Sequence, residues 1–344
     1  MDVDKHSKDD LRQMQSLPLE AKILMTQRRI RDWVDYWHGD VYVSFSGGKD
    51  STVLKHIVDV MYDDIPAVFV NTGLEYPEIQ QFVRDIKAGK HDCFNSDVEI
   101  IRPEMRFDEV IKEYGYPVIS KEVARGVHYA RKGNTKSALY YMQKFNGELM
   151  YNGTKSPYNH EKWKFLLDAP FKISSFCCDV MKKKPVKAYS KATGRKPFVG
   201  TMASESRMRE NKWIQDGCNA FHNTNPISTP MAFWTEQDVL HYIKRYNVPY
   251  CPVYGDIRVK QTKDAEIEGQ INLIDCLGCY EPEDTLETTG CHRTGCMFCM
   301  FGCHLDKEPN RFQRMKQTHP RQYAYCMDKL GLKEVLEYIG VPYE

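Results

Sequence analysis

Residues 41–51 read Val-Tyr-Val-Ser-Phe-Ser-Gly-Gly-Lys-Asp-Ser, and this stretch decides the fold. An apolar, β-branched run ends in two glycines, and a helical pattern begins at once at Thr52. Because glycine adopts backbone angles closed to other residues, successive N–H groups in such a turn can point into one concavity. The N-terminus of the following helix and the Lys49 ammonium add positive charge. The order strand, glycine turn, helix therefore predicts a cradle for a phosphate or pyrophosphate group.

The loop supplies six candidate residues for binding phosphate groups: Ser46, Gly47, Gly48, Lys49, Asp50 and Ser51. The glycine N–H groups and Lys49 are expected to hold the phosphates, and the two serine hydroxyls add donors. Asp50 is expected to orient the loop or to help bind Mg2+, and a helix N-cap is an equally good account of it. Lys49 and Asp50 are therefore the candidate catalytic residues of the loop.

The spacing of the loop is neither that of a Walker A motif nor that of a dinucleotide fingerprint. Ser-Gly-Gly-Lys-Asp-Ser instead resembles the PP-loop of the ATP pyrophosphatase superfamily. The resemblance implies a protein that holds ATP by its β- and γ-phosphates, adenylylates a substrate and releases pyrophosphate. The plain alternative is a glycine turn before an ordinary helix.

Further apolar runs alternate with helical patterns. Residues 67–70, 98–101 and 197–200 fit buried strands, and this alternation predicts a doubly wound α/β fold with a mostly parallel sheet. The resemblance refines this to an adenine nucleotide alpha hydrolase-like fold. In such sheets ligands bind beyond the carboxyl ends of the strands, where the PP-loop and residues 71–78 both fall.

Three consecutive regions are expected along the chain. Residues 1–39 form an N-terminal tail and helix, and residues 40–255 form the α/β domain with a basic helical insertion at 118–170. Residues 256–344 hold an acidic insertion, a cysteine cluster and a helical tail.

Charge is nearly balanced over the whole chain, with 48 Lys and Arg residues against 47 Asp and Glu residues, but it is uneven locally. Residues 121–196 carry 17 basic against 5 acidic residues, and residues 256–290 carry 3 against 9. The basic segment is expected to face a phosphate-bearing ligand, and its tyrosines also fit a nucleic acid acceptor. The charged start and the lack of a long apolar run predict a cytoplasmic protein without a membrane partner.

Twelve cysteines in a reducing compartment favour metal or redox chemistry over structural disulfides. Cys296 and Cys299 have the spacing that lets two thiolates reach one metal centre, and Cys177 and Cys178 are adjacent. Other cysteines fit an additional Zn2+ site in the acidic insertion, with these donors: Cys276, Cys279, Cys291 and either His292 or His304.

Over residues 40–305 the chain resembles the phosphoadenosine phosphosulfate (PAPS) reductase family. Residues 71–78 are similar to its Asp-Thr-Gly-x-x-x-Pro-Glu element, and residues 200–209 to its Gly-x-Arg-x-x-Glu-Ser-x-x-Arg element. Residues 226–254 resemble the stretch that precedes the second cysteine pair.

The resemblance extends to the cluster-bearing, adenylylsulfate-reductase-like branch. There a Cys-Cys pair and a later Gly-Cys-x-x-Cys bind one four-iron four-sulfur (4Fe-4S) cluster. Carried across, the ligands are Cys177, Cys178, Cys296 and Cys299.

Three further residues come from the resemblance. Arg207 and Arg209 are candidates for a phosphate, sulfate or adenylate oxyanion, with surface salt bridges as the alternative. Glu75 is a candidate on the metal or nucleotide side, and a plain turn carboxylate is the alternative.

Two departures separate the chain from sulfate reductases of the family. It ends with Tyr325-Cys326-Met327 and lacks the Glu-Cys-Gly-Leu-His segment whose cysteine attacks sulfur. Its PP-loop is intact, whereas the reductases have usually altered theirs. Both departures align it with ATP-using relatives such as the small subunit of sulfate adenylyltransferase and the enzymes of DNA phosphorothioation or RNA thiolation.

The sequence therefore predicts an ATP-dependent iron–sulfur enzyme that adenylylates a substrate for sulfur transfer. Cys303 is the candidate sulfur-carrying nucleophile, or a substitute cluster ligand like Cys291. One alternative is a PAPS or adenylylsulfate reductase that produces sulfite with Cys303 or Cys326. Another is a non-catalytic nucleotide- or nucleic-acid-binding accessory protein. The expected partners are a nucleotide substrate, a sulfur or electron donor protein and a second copy of the chain in a homo-oligomer.

Overall fold

The computed structural model describes residues 6–260 and 284–344. They form two compact units, each discontinuous in sequence. The first unit comprises Met1–Phe69, Tyr76–Ile101 and Tyr189–Thr294, and the second comprises Val70–Glu75, Arg102–Ala188 and Gly295–Glu344. The predicted regions were continuous segments, and that division stays a prediction. Within the described residues, no helix has the length and apolar character needed to cross a membrane.

The helices that the structure describes are α1 (Lys8–Gln15), α2 (Leu19–Tyr36), α3 (Lys49–Met61), α4 (Pro77–Lys87), α5 (Phe107–Tyr114), α6 (Lys121–Ala130), α7 (Lys136–Asn146), α8 (Lys184–Thr193), α9 (Arg207–Asp216), α10 (Glu236–Arg245), α11 (Arg311–Thr318), α12 (Pro320–Ala324) and α13 (Leu332–Tyr338). The strands are β1 (Val41–Ser44), β2 (Ala67–Val70), β3 (Val98–Ile101), β4 (Met150–Tyr151), β5 (Thr154–Lys155), β6 (Lys196–Val199), β7 (Asn219–Ala220), β8 (Ile227–Ser228), β9 (Ile257–Val259) and β10 (Leu286–Thr288).

A six-stranded sheet organises the first unit, with the strand order β3-β2-β1-β6-β8-β7. β1 pairs in parallel with β2 and with β6, β6 pairs in parallel with β8, and only the pairing of β7 with β8 is antiparallel among these. The predicted α/β class with a mostly parallel sheet is confirmed. Along the chain the order runs outward from β1 to β3 and then resumes at β6 on the other side of β1. This reversal is a topological switch point, where sheets of this kind bind their ligands.

The sheet is buried because its strands are apolar on both faces. Val41, Tyr42 and Val43 are fully enclosed, and Trp33 of α2 and Phe198 of β6 belong to the same core. Such two-sided burial is typical of a parallel strand covered by helices.

Local signals in the sequence set several helix ends. Thr235 accepts from the N–H of Asp238 and completes a capping box at the start of α10, as its spacing predicts. The N-terminal tail, in contrast, contains a helix: α1 begins after Ser7, whose side chain accepts from the N–H of Asp10. Here a capping box stabilises a segment that composition alone describes as a tail.

The basic insertion of the second unit is partly helical, as predicted. α6 and α7 start at the side-chain caps Ser120 and Thr135. A turn at residues 152–153 connects β4 and β5, which pair antiparallel. Arg131 donates to four backbone carbonyls in the segment 166–171 and so fixes that segment to the end of α6.

Candidate phosphate loop and thiol cluster

The predicted PP-loop connects β1 to α3 at the switch point of the sheet. Gly47 has a φ of 70°, and a Cβ atom there would lie 2.9 Å from Ile79 Cγ2. Gly200, at the end of β6, packs on the loop as well, because a Cβ there would lie 3.0 Å from the Asp50 carbonyl oxygen. Both glycines are therefore required by close approach of the backbone.

Hydroxyl groups brace the loop from inside. Ser46 Oγ lies 2.9 Å from Ser51 Oγ, and the Ser46 N–H donates to Ser51 Oγ at 3.2 Å. The Gly48 N–H donates to Ser46 Oγ at 3.3 Å, and Ser51 Oγ donates back to the Gly48 carbonyl at 2.9 Å. These contacts fix the loop backbone. The expected role of the serines as phosphate donors stays a prediction.

Lys49 is almost fully buried, with a side chain 4% exposed. Its ammonium lies 2.8 Å from Glu236 Oε1 and donates to the His292 carbonyl at 2.5 Å. Its backbone N–H donates to the Tyr254 hydroxyl at 3.2 Å, and that hydroxyl lies 2.6 Å from Thr294 Oγ1. The ammonium is thus held at the N-terminus of α3. An anion bound there would be stabilised by both the ammonium charge and the helix dipole.

Asp50 lies in the first turn of α3 and does not cap it, because the N-cap residue is Gly48. Its Oδ1 atom is buried and has no hydrogen-bond partner among the described residues. Burial raises the pKa of the Asp50 carboxyl, and the nearby cations Lys49, Arg293 and Arg209 oppose this rise. An unpartnered carboxylate oxygen of this kind fits the oxygen ligands that Mg2+ prefers.

A second group of charges lies at the start of α9. Arg209 forms an ion pair with Glu205, and Arg293 Nη1 lies 4.0 Å from the same carboxylate. Burial and the neighbouring Arg293 lower the pKa of Arg209. Arg207, also predicted for an oxyanion, is exposed. Arg293 was missed by sequence reasoning, since it lies in the cysteine-rich stretch and belongs to no motif.

The four predicted cluster ligands all belong to the second unit. Cys177 and Cys178 are adjacent, and the Cys177 thiol donates to Cys178 Sγ across 4.0 Å. Each of Cys296 and Cys299 raises the pKa of Cys177 through its charge, which places all four sulfurs within electrostatic range. The fold thus brings together two pairs that are far apart in sequence.

The two adjacent thiols differ in how tightly they hold a proton: Cys177 holds its proton more tightly than Cys178 does. The hydrogen bond between them, with burial, raises the pKa of Cys177 far above the usual value. The same hydrogen bond lowers the pKa of Cys178 below the usual value, assisted by Lys121 and Lys182. Burial raises the pKa of Cys296 to about 11, and Lys182 opposes that rise.

Lys182 connects the thiols to the predicted Glu75. It follows the vicinal cysteines in a π-helical turn, Asp179–Lys183, and its ammonium lies 4.0 Å from Glu75 Oε1. Glu75 itself accepts from the Thr72 N–H at 3.0 Å and from Thr72 Oγ1 at 2.6 Å. Such contacts are typical of a carboxylate that stabilises a turn, which is the alternative interpretation of Glu75. A role in binding the metal or nucleotide stays a prediction.

Arg311 holds the second cysteine loop in place. It donates to the carbonyls of Cys299 at 3.1 Å and Phe301 at 3.0 Å while pairing with Asp306 through two hydrogen bonds. Cys303, the predicted nucleophile, is 1% exposed, and its thiol donates to the Met300 carbonyl at 3.1 Å. Burial raises the pKa of Cys303 to about 12, so few of these thiols are ionised near neutral pH.

The phosphoadenosine phosphosulfate reductase domain is the family whose model matches this chain, over residues 40–156 and 151–300. The chain belongs to the PAPS reductase family. Membership supports a nucleotide-binding enzyme of the PP-loop type, while the cluster-bearing branch stays a prediction.

Relatives in the PAPS reductase family are distant. A phosphoadenosine 5'-phosphosulfate reductase of Alkalilimnicola ehrlichii is 21% identical over 71% of this chain and 77% of its own length. An uncharacterised protein of Methanocaldococcus jannaschii is 40% identical over 22% of this chain and 15% of its own length. The crystal structure of the PAPS reductase of Candida auris in complex with phosphate matches with a TM-score of 0.37 and 15% identity, over 66% of this chain and 82% of that chain.

The donor set of this family member fits an iron–sulfur cluster by its chemistry. Four thiols of one unit lie within electrostatic range of one another, and thiolates are the ligands of 4Fe-4S clusters. Among residues 6–260 and 284–344, no group of three His, Cys, Asp or Glu side chains is arranged to hold a metal ion. Each thiolate of a 4Fe-4S cluster binds a different iron atom, so the four sulfurs need not converge on one point.

The remaining predicted metal ligands lie partly outside the described residues and are otherwise divided between the two units. Cys276 and Cys279 lie outside the described residues, and Cys291 and His292 belong to the first unit. His304 belongs to the second unit and packs edge-on against Trp163 at 5.1 Å between ring centroids. The additional Zn2+ site and the role of Cys291 therefore stay predictions.

Proposed function

We propose that this member of the PAPS reductase family is an ATP-dependent enzyme that adenylylates an acceptor for sulfur transfer and carries an iron–sulfur cluster. The observation that carries the proposal is the PP-loop itself. At Gly47 the loop backbone packs closely against Ile79, and at Gly200 the end of β6 packs closely against the loop. Lys49 lies at the N-terminus of α3. A pyrophosphate moiety is the ligand that such a cradle favours.

In the proposed reaction an oxygen of the acceptor attacks the α-phosphorus of ATP. The new acceptor O–P bond forms while the bond between the α-phosphorus and the bridging oxygen breaks, and pyrophosphate leaves with the electron pair. Lys49 and the loop N–H groups would stabilise the charge on the leaving pyrophosphate. Arg209 and Arg293 would face the α-phosphate, and Asp50 would hold Mg2+.

The cluster would be held by Cys177, Cys178, Cys296 and Cys299, and it would supply electron transfer or a binding site for sulfur. The contribution of the chain is electrostatic: Lys182 and Lys121 lie close enough to the thiols to favour their thiolate forms. Arg311 fixes the carbonyl of Cys299 and so positions the second pair of cysteines.

A PAPS or adenylylsulfate reductase is the second candidate, favoured by the relative in Alkalilimnicola ehrlichii that carries this name. It needs a nucleophilic thiolate. The two cysteines suggested for it are buried, and burial raises the pKa of both Cys303 and Cys326 to about 12. This burial counts against the reductase, and equally against Cys303 as the nucleophile of the ATP-dependent enzyme.

The test uses protein purified without oxygen, with iron and acid-labile sulfide quantified. We expect iron and sulfide in the preparation, ATP binding that depends on Mg2+, and ATP binding tighter than PAPS binding. Pyrophosphate release would follow once an acceptor is supplied. Tighter binding of PAPS, with sulfite formed from it in the presence of a thiol, would replace the proposal with the reductase. Protein that lacks iron and binds neither nucleotide would contradict both.

A further inference from the structure

The basic insertion of the second unit exposes aromatic side chains. Tyr140 on α7, Tyr151 on β4 and Tyr158 just after β5 are 45%, 63% and 62% exposed. None of the three phenol groups has a hydrogen-bond partner among the described residues, and Tyr151 and Tyr158 stack on no other aromatic ring there. The faces of Tyr151 and Tyr158 are thus available for a flat partner, whereas the Lys144 ammonium lies over the Tyr140 ring, 5.6 Å from its centroid.

These tyrosines stand on an ordered platform. Asn159 exchanges two hydrogen bonds with Leu149, at 3.2 and 3.1 Å, and this closes the β4–β5 hairpin at its base. The Ser156 N–H donates to the Leu149 carbonyl, and the His160 N–H donates to the Lys144 carbonyl of α7, both at 2.8 Å. The hairpin is therefore fixed to α7, and an exposed ring on it loses little freedom on binding.

The net charge of the basic insertion is positive. Lys132, Lys136, Lys162 and Lys164 are exposed, and in the described part of the chain none of them forms an ion pair. Lys162 already lies over an aromatic ring, 4.9 Å from the centroid of Trp163. The segment 121–196 carries 17 basic against 5 acidic residues, so a polyanion is the partner that its charge favours.

From these observations we infer that α7 and the β4–β5 hairpin form a binding surface for single-stranded nucleic acid. Bases would stack on Tyr151 and Tyr158, and the lysines would contact the phosphates. Stacking needs bases that are not enclosed in a duplex, which is why a single strand fits better than a double helix. The inference does not depend on the proposed ATP chemistry, because binding is measured without ATP.

The experiment measures fluorescence anisotropy of a labelled single strand of about 20 nucleotides, as DNA and as RNA, with the duplex of the same sequence for comparison. We expect the single strands to bind more tightly than the duplex, with an affinity that falls as salt rises. The double variant Tyr151→Ala/Tyr158→Ala should weaken binding by roughly 10-fold or more at an unchanged salt slope. Tyr151→Phe/Tyr158→Phe, which keeps the rings, should bind like the wild type.

A second variant separates charge from stacking. Lys162→Gln/Lys164→Gln should lower the slope of log affinity against log salt by about 0.7 for each phosphate that the protein no longer neutralises. Tyr36→Ala/Tyr246→Ala removes two exposed tyrosines of the first unit. This control should leave the affinity for the single strand and its salt dependence unchanged. The inference fails if no strand binds at low salt, if the duplex binds more tightly, or if the alanine variant of the hairpin binds as the wild type does.

Discussion

The phosphate loop and the thiol cluster are built in opposite ways. The loop is one continuous stretch, Ser46–Ser51, whose shape comes from glycine backbone angles and from hydrogen bonds between its own serines. The thiol cluster joins two cysteine pairs from distant segments, and a lysine and an arginine that belong to no motif support it. A local site can therefore be read from a motif, whereas a composite site depends on the fold of its whole unit.

The largest expected effect is the loss of iron and sulfide from the thiol cluster while ATP binding at the loop is retained. Cys296→Ser removes a thiolate that the proposed cluster requires, so iron and sulfide should fall to the background of the assay. ATP affinity should be unchanged, because the PP-loop belongs to the first unit. Cys93→Ser, which changes an exposed cysteine of the first unit, is the control and should keep its iron. Full iron retention by the Cys296 variant would show that the assigned ligands are wrong.

The next effect tests the backbone of the loop. Gly47→Ala should destabilise the protein by about 2–4 kcal/mol, because it combines a positive φ with a Cβ atom 2.9 Å from Ile79 Cγ2. Gly89→Ala is a matched control, since Gly89 has a φ of 69° and nothing within 4 Å of its Cβ position. Urea unfolding gives the free energy of unfolding of each variant. The difference between the two losses is the cost of the close contact at Gly47. Equal losses in the two variants would remove the argument that the loop is shaped by its packing on α4.

A smaller effect concerns the charge of the loop. Lys49→Ala should weaken ATP binding by about 10- to 100-fold, the usual range for losing a hydrogen bond to a charged group. Isothermal titration with ATP and Mg2+ gives the affinity. Lys212→Ala changes an exposed lysine on α9 and should leave binding unaffected. Should both variants bind ATP as the wild type does, the loop would not be the phosphate site.

A further effect concerns stability alone and lies in the body of α3. Asp59 pairs with Lys55 at 2.7 Å, and burial raises the pKa of its carboxyl from 3.8 to about 6. The folded state thus holds this proton more tightly than the unfolded state does. The resulting stability is present below pH 3.8 and is lost as the pH rises through about 6.

Compared with Asp59→Asn, the wild type should therefore lose about 3 kcal/mol of stability between those pH values. Urea unfolding at a series of pH values measures the difference between the two proteins. Asp63→Asn, at an exposed carboxyl, is the control for removing a nearby acidic side chain. A pH-independent difference between wild type and Asp59→Asn would mean that Lys55 keeps the carboxylate ionised throughout.

Much of the fold followed from the sequence, because its signals are local. The apolar run at 41–44 and the capping pair Thr235 and Asp238 define β1 and the start of α10 from neighbouring residues alone. Two local details go beyond the prediction. α1 begins at a capping box within the predicted tail, and the N-cap of α3 is Gly48, so that the N-cap alternative for Asp50 is wrong and Asp50 lies inside the first turn.

The sequence by itself determined the phosphate loop, since strand, glycines and helix are contiguous and their geometry follows from backbone sterics. Only the tertiary structure decided which side chains surround it. Tyr254, Glu236 and Arg293 approach Lys49 and Asp50 from distant positions. It likewise decided that Cys303 is buried while Tyr151 and Tyr158 are exposed. Burial depends on the packing of whole elements, and no spacing within a motif specifies it.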